Sequence, residues 1–569
     1  MTARWILPPP LASHEAELAT TLARNQGCPA SLAGILARRT SAHPGDSGDF
    51  LSPQLKRLSD PFLLPEMRQA VDRTLAAIDR GESIVLYGDY DVDGISSLAL
   101  LTRVLRELGG RSPRPFLPSR ADEGYGLSAD GLARCLAEGK IDLLLAVDCG
   151  TSSAADIADL AAQGVDVVIL DHHECPATLP RCTALVNPKR PGAAPGFADL
   201  CSAGLVFKFC HALLKTRPAP EIDLRDYLDL VALGTVADIV PLTGENRILV
   251  WKGLEILGRT RWAGLQALLE VAQAQAPLTP TDIGFKLGPR LNAAGRLGGA
   301  GSALELLLTD DPARARTLAQ ELDGQNRERQ RVERSTVAAA QAQLDFDPAR
   351  DAAIVVGSEG WHPGVLGIAA SRLCRAHFRP ALVIGFDENG LGRGSGRSIA
   401  GFSLVAALEA CRPMLEKFGG HEMAAGLEVR REHYDAFREA FLAFARASLT
   451  EADFLPRLTL DAEATLHDIS LGFLAVHEQM QPFGTGNAQP LFLVRGVHPL
   501  AAPAVIKEKH LRLNLGQNGA RHEAIFFNGA ETPLPRPPWD IAFRIERNEW
   551  RGRVSVQIQI QHLRAARED

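Results

Sequence analysis

Ser83-Ile84-Val85-Leu86-Tyr87-Gly88-Asp89-Tyr90-Asp91-Val92-Asp93-Gly94-Ile95-Ser96-Ser97 is the stretch around which the chain is organised. Residues 84–87 are an unbroken apolar run that stops at a glycine, and aspartates follow at every second position. Residues 98–105 then read as a helix. A strand that is apolar on both faces belongs in a covered parallel sheet. Three like charges within five residues are costly to hold together unless a cation sits among them, and a divalent ion fits that need. Asp-x-Asp-x-Asp-Gly also opens an EF-hand calcium loop. Counting from Asp89, however, the bidentate glutamate of position twelve falls on Leu100, and a strand rather than a helix precedes the loop, so the EF-hand is rejected. On this stretch alone an acidic surface turn is the bland alternative.

The pattern repeats outward from that point. Apolar strand-like runs at 141–147 and 165–170 join 83–87, and helical periodicity covers 96–108, 129–138 and 154–163, each ended by a glycine (Gly109, Gly139, Gly164). Strands alternating with such helices predict βαβ units and a parallel sheet. A charged helical pattern runs from about 310 to 345, with Gly324 as its one weak point, and reads as a span between domains. A second mixed region has strands at 353–356 and 381–385 and a helix after Gly364. From about 455 the texture changes to short strands at 491–494, 511–515, 524–527, 541–545 and 554–560, which predict a small β-barrel or sandwich. Residues 1–65 read as a lead-in with helical pieces such as 15–24.

Composition bounds the partners. The 569 residues are too many for one core. Hydrophobic residues make up 46% and charged residues 23%, as in ordinary globular proteins, and no apolar run reaches membrane-spanning length. Residues 1–10 have no apolar signal-peptide core, and the nine cysteines contain no C-x-x-C pair, so a reducing cytoplasm is expected. A net charge of −7 argues against coating nucleic acid non-specifically, but it allows a local basic channel. No P-loop motif occurs.

Each early strand ends in residues able to bind a metal. The first delivers Asp89, Asp91 and Asp93; the second Asp148-Cys149-Gly150; the third Asp171-His172-His173. The apolar run 230–237 ends in Asp238. In an open α/β sheet ligands bind outside the carboxyl ends of the strands, so these groups face one crevice. Hard oxygens with one or two imidazoles suit Mn²⁺ or Mg²⁺, and so many carboxylates can hold two ions with one aspartate bridging, an arrangement suited to in-line attack on a phosphodiester.

These motifs, together with 287–296 (LGPRLNAAGR), 360–368 (GWHPGVLGI), 392–398 (GRGSGRS) and 418–421 (FGGH), resemble the DHH phosphoesterases, and within them the branch of bacterial single-strand-specific exonucleases. The resemblance implies an α/β fold: a parallel-sheet DHH domain at 66–305, a connecting helix at 306–345, a second α/β domain of DHHA1 type at 346–454, and a C-terminal OB-like β-barrel at 455–569, after the 1–65 lead-in. It implies that Asp89, Asp91 and Asp148 hold one ion, and that Asp93, Asp148, His172 and Asp238 hold the other. Asp171 would orient the metal-binding imidazole, and His173 would face the scissile phosphate. Some DHH relatives have a histidine two residues before Asp89, where this chain has Tyr87.

The second half supplies anion chemistry. Gly419-Gly420-His421 offers backbone amides beside an imidazole, a compact phosphate nest. Arg393, Ser395 and Arg397 lie on a glycine-punctuated segment suited to bidentate phosphate contacts, with Asn292 and Arg296 as further candidates. The resemblance implies that Arg120 joins Ser395 and Arg397 on a 5′ phosphate. Lys507, Lys509, His510 and Arg512, with Phe526, Phe527 and Trp550, offer the cations and aromatics of single-strand binding, although core packing is the plainer reading of the phenylalanines. The expected function is a Mn²⁺- or Mg²⁺-dependent 5′-to-3′ exonuclease on single-stranded DNA, releasing 5′-mononucleotides and acting in recombination and repair. The chain would work as a monomer without membrane attachment, alongside a single-strand-binding protein and a helicase. The alternatives are a phosphodiesterase for cyclic dinucleotides or short oligoribonucleotides, and a non-catalytic single-strand-binding protein.

Overall fold

A computed structural model describes residues 3–41, 50–118, 126–297 and 300–566. The apolar runs read from the sequence lie side by side in a five-stranded parallel sheet, in the order Arg114–Phe116, Ile84–Tyr87, Leu143–Val147, Asp166–Leu170, Ala184–Val186. Successive residues of a strand face opposite sides. Leu86, Leu145 and Val168 therefore enter the core with the helices Val92–Glu107, Ser202–Thr216 and Leu228–Ala237, while Val85, Tyr87, Leu144 and Ile169 pack beneath Ala129–Ala137 and Ala154–Ala162.

Leu228–Ala237 is almost wholly buried, which is why its sequence shows an apolar run and no amphipathic stripe. The connecting helix Pro312–Ala342 is continuous over 31 residues and passes through Gly324 unbroken. Ala315, Leu318 and Leu322 on its first half belong to the first core, and Val337 and Ala340 on its second half to the next.

That second core lies under a five-stranded mixed sheet in the order Lys417–Gly420, Ala424–Arg430, Leu391–Arg397, Ala381–Phe386, Ile354–Glu359. The C-terminal region forms a seven-stranded sheet that runs from Ala462–Glu463 to Ala504–Ile506. Pairing of Phe492–Pro499 with His510–Gln517 folds it back on itself into a barrel. The lead-in is not a free arm. Strand Arg4–Ile6 pairs with Arg457–Thr459, and Leu22, Leu32, Ile35 and Leu36 from helices Ser13–Gln26 and Ala30–Thr40 share a core with Phe473, Phe492 and Phe543. No helix among the described residues is long and apolar enough to cross a membrane.

Candidate metal centre

The three strand-end motifs converge as the βαβ order requires. After Ile84–Tyr87 the chain turns into the helix Val92–Glu107. Asp91 caps that helix, its Oδ1 accepting from the amides of Asp93 (2.9 Å) and Gly94 (3.1 Å). Asp93, in the first turn of that helix, accepts from the amides of Ser202 (2.7 Å) and Ala203 (2.9 Å), so its carboxylate sits on the positive end of helix Ser202–Thr216. Gly234 makes room for it, since a Cβ there would stand 2.5 Å from Asp93 Oδ1. Asp148 follows the second strand in the left-handed region (φ 64°) and accepts from Ser202 Oγ at 2.8 Å. A non-glycine residue held there is a form of strain that clusters at functional sites.

His172 links the carboxylates. Its Nε2 lies 3.2 Å from Asp148 Oδ1, 3.7 Å from Asp238 Oδ2 and 3.8 Å from Asp93 Oδ2, and it is buried with no hydrogen-bond partner among the described residues. Asp238 caps the C-terminal end of helix Leu228–Ala237. Ligand atoms of Asp89, Asp91 and Asp148 lie within 4.8 Å of one another, and so do those of Asp93, His172 and Asp238 and those of Asp148, His172 and His173. Asp148 therefore touches both of the sets read from the sequence.

Asp171 departs from its expected role. Its Oδ1 accepts from the amides of His172 (2.8 Å) and His173 (3.2 Å) and lies 2.7 Å from Nδ1 of His173, while Oδ2 accepts from the Thr151 amide at 3.0 Å. The carboxylate has folded back over the amides that follow it, so the ring it orients is that of His173 and not that of His172.

Electrostatics mark the centre as one built for cations. Burial first, then the Asp91 charge, pushes the Asp93 carboxyl up to about 7, and burial with the Asp93 charge does the same to Asp238. Asp148 is raised well above the usual carboxylate range by burial and by Asp93, Asp91 and Asp89. Asp171 goes the other way: burial opposes its ionisation, but the His173 hydrogen bond outweighs this and holds it well below the usual range. Burial lowers the His172 pKa, which favours the neutral ring a metal needs, whereas Asp171 overrides burial and raises that of His173. Crowded carboxylates short of positive charge, beside a buried imidazole nitrogen that nothing else satisfies, fit hard divalent cations.

The sequence missed some of this. Ser202 and Ala203 support two of the carboxylates from a helix start preceded by Cys201, where no acidic motif pointed. Asn187 follows the short strand Ala184–Val186 and donates to Thr151 Oγ1 and the His173 carbonyl, both at 3.0 Å. An apolar run ending in a polar residue was the available signal. Tyr87 is fully buried, stacked on Phe116 at 5.0 Å and donating to the Gly126 carbonyl at 3.2 Å, away from the carboxylates.

The anion residues spread over both α/β domains and the barrel. Arg393, Ser395 and Arg397 alternate along Leu391–Arg397 and so share one face, with Arg397 Nη1 donating to Ser395 Oγ at 3.2 Å. Gly419 and Gly420 end the strand Lys417–Gly420, opposite Gly426 and Ala425, and His421 opens the turn into Ala424–Arg430, its amide donating to the Ala424 carbonyl at 2.8 Å. A cavity of about 920 Å³ is lined by Ile239, Phe285, Asn292, Arg372, Arg375 and Arg397 among others, and so brings residues of the first and second domains to one space. Arg296 lies on the same helix as Asn292 (Gly288–Leu297), but its side chain and the whole of Arg120 fall outside the described residues. Lys507 and Lys509 are exposed at the turn between Ala504–Ile506 and His510–Gln517, far along the chain from the centre. Phe526 packs partly into the barrel core, whereas Phe527 is 47% and Trp550 70% exposed.

Family comparison matches residues 83–235 to the DHH family N-terminal domain, 350–447 to the DHHA1 domain and 460–562 to the RecJ OB domain. The single-stranded-DNA-specific exonuclease RecJ of Dickeya dadantii is 36% identical over 560 residues, which cover 94% of this chain and 96% of that one. The chain belongs to the RecJ family. Crystal structures of RecJ from Thermus thermophilus in complex with Mn²⁺ and with Mg²⁺ superpose with TM-scores of 0.84 and 0.78, at 30% and 29% identity, covering 99% of this chain and 80% and 79% of theirs.

Proposed function

We propose that the protein is a metal-dependent exonuclease that degrades single-stranded DNA from the 5′ end and releases 5′-mononucleotides. The observation that carries this reading is that Asp148 belongs to two ligand clusters at once, Asp89–Asp91–Asp148 and the set around His172. Asp89, Asp91 and Asp148 would hold one Mn²⁺ or Mg²⁺; Asp93, Asp148, His172 and Asp238 would hold the other. Two such ions supply an activated water and Lewis-acid stabilisation for in-line displacement at phosphorus.

The protein's own residues do the rest. His173, charged more readily than an ordinary histidine because of Asp171, faces the crevice where it can neutralise a phosphate oxygen or give a proton to the leaving oxygen. Arg393, Ser395 and Arg397, with the amides of Gly419 and Gly420 and with His421, grip the backbone on the facing wall; Arg120, Asn292 and Arg296 belong to the same grip. The arginines of the cavity extend it, and Lys507, Lys509 and the exposed aromatics of the barrel hold strand that has yet to enter. Such a protein works in the cytoplasm, as a monomer, on ends that a helicase and a single-strand-binding protein expose during recombination and repair.

The test incubates 5′-labelled and 3′-labelled single-stranded and duplex DNA with and without Mn²⁺, beside Asp148→Ala. Metal-dependent loss of the 5′ label from single strands, absent in the variant, is expected. Binding without digestion would remove the enzymatic reading; earlier loss of the 3′ label would reverse the polarity. Turnover of cyclic dinucleotides in preference to DNA would favour the phosphodiesterase alternative.

A further inference from the structure

The turn at residues 483–487, Phe-Gly-Thr-Gly-Asn, contributes Phe483, Gly484 and Thr485 to the lining of the cavity described above and reaches into the domain that carries the strand-end carboxylates. Four residues beyond Asp238, the Leu242 amide donates to the Thr485 carbonyl at 2.8 Å. A Cβ on Gly484 would stand 2.7 Å from Leu242 Cδ1, and one on Gly486 3.0 Å from Pro241 Cβ, so backbone of the turn lies directly against Pro241-Leu242. Leu242 is 2% exposed and has little room to retreat.

The turn is anchored firmly on its own side. Asn487 Nδ2 donates to the carbonyls of Met480 (2.9 Å) and Pro482 (2.8 Å), and its Oδ1 accepts from Arg39 at 2.6 Å. Arg247 from the first domain donates to the carbonyls of Gln479 and Met480. Between this clamp and Asp238 stands Ile239 in the left-handed region (φ 63°), a strained conformation for a β-branched residue. Its side chain is 71% exposed, so its own packing does not hold it there. Such a conformation persists only where its surroundings over-determine it.

We infer that the 483–487 turn is a positioning element for Asp238: by clamping Pro241-Leu242 it holds the strained Ile239 link, and so it places the Asp238 carboxylate beside His172. Assembly of the second ion site thus depends on the docked C-terminal domain. This inference rests on the metal reading proposed above.

Mn²⁺ titration of the full chain by calorimetry and electron paramagnetic resonance tests it without recourse to activity. Gly484 does not have positive φ, so a side chain there acts through space and not through backbone strain. Gly484→Val is expected to weaken one of two Mn²⁺ sites by about ten- to a hundred-fold, the range for residues that orient a ligand from behind, and to match the isotherm of Asp238→Asn. Gly484→Ala, a milder intrusion read in the same titration, is expected to shift the same site less. Trimming the opposing side chain in Gly484→Val/Leu242→Ala should restore the site. A folded Gly484→Val or Gly484→Ala with both sites at wild-type affinity would overturn the inference, as would failure of the double variant to recover binding. A wild-type chain that takes up no Mn²⁺ would remove the metal reading itself, a result distinct from either.

Discussion

Asp171 Oδ1 and His173 Nδ1 lie 2.7 Å apart, and the same oxygen accepts the backbone amide of each histidine in the Asp-His-His motif. One carboxylate thereby fixes the backbone of both imidazoles but the ring of only one. Asp171→Asn should therefore act on His173. We expect kcat on single-stranded DNA to fall by about 10- to 100-fold, with the affinity for Mn²⁺ at His172 changed less, the loss being typical of a residue that orients another. Steady-state kinetics beside Mn²⁺ titration checks this; equal losses in both would place Asp171 at the metal instead.

Metal removal should expose the repulsion among the carboxylates. Asp93 and Asp238 are raised to about 7, against about 3.9 in an unfolded chain. Their folded forms hold protons that the unfolded chain releases, so their contribution is complete below about pH 4 and is lost as pH rises through about 7. In EDTA, the difference in unfolding free energy between Asp238→Asn and wild type should grow in the variant's favour across that window. Saturating Mn²⁺ should reverse the order, since metal at 100 times its Kd contributes about 2.7 kcal/mol per site. Chemical denaturation at several pH values with and without metal decides the point.

A second pH effect has the opposite sign. His477 is 2% exposed, neither ring nitrogen has a hydrogen-bond partner among the described residues, and burial pushes its pKa down to about 4. Unfolded histidine takes its proton near 6.5, so stability is intact above that value and falls as pH drops towards about 4. The loss is about 3 kcal/mol at 1.36 kcal/mol per pH unit. His477→Phe should abolish this acid slope in the barrel's unfolding transition; an unchanged slope would mean that other groups carry it.

Two adjacent glycines should respond differently. A Cβ on Gly420 would meet the Ala424 carbonyl at 2.5 Å in a backbone of φ 137°, whereas Gly419 has nothing within 4 Å. Gly420→Ala is expected to cost stability as well as activity. Gly419→Ala should leave the melting temperature unchanged while raising KM for DNA, because only an incoming phosphate would occupy that space. A normal KM in Gly419→Ala would argue against the phosphate nest.

Trp550, on the barrel, is 70% exposed, with the Arg551 guanidinium 5.7 Å from its ring centroid. Trp550→Ala should weaken binding of long single strands by about 1–3 kcal/mol, the usual worth of one stacked base, with Mn²⁺ affinity and thermal stability unchanged. Fluorescence anisotropy with labelled oligonucleotides measures it.

Much of this architecture was readable in the chain because the chemistry sits at the ends of the strands that build the sheet. An apolar run at 84–87, 143–147 or 166–170 announces a buried strand, and the Asp or His that follows is carried to the crevice by topology alone. Asp238 was legible for a related reason: a fully buried helix also reads as an apolar run with a polar stop. What stayed hidden depends on contacts between distant segments. Nothing near Ser202 signals that its amide will meet Asp93, and nothing in 483–487 names Pro241-Leu242 as its seat. The direction in which the Asp171 side chain folds is a local competition among amides that spacing does not reveal.

The pairing of Arg4–Ile6 with Arg457–Thr459 sets an order of events during synthesis. The first strand and the apolar faces of the two helices after it leave the ribosome more than 400 residues before their partners exist. At 5–20 residues per second that is an interval of roughly 20–90 s. Throughout it, Leu22, Leu32 and Leu36 have no core to enter. The first domain can complete its own sheet meanwhile, so the nascent chain carries a folded centre beside an apolar surface that stays uncovered until residues 457–560 have been made.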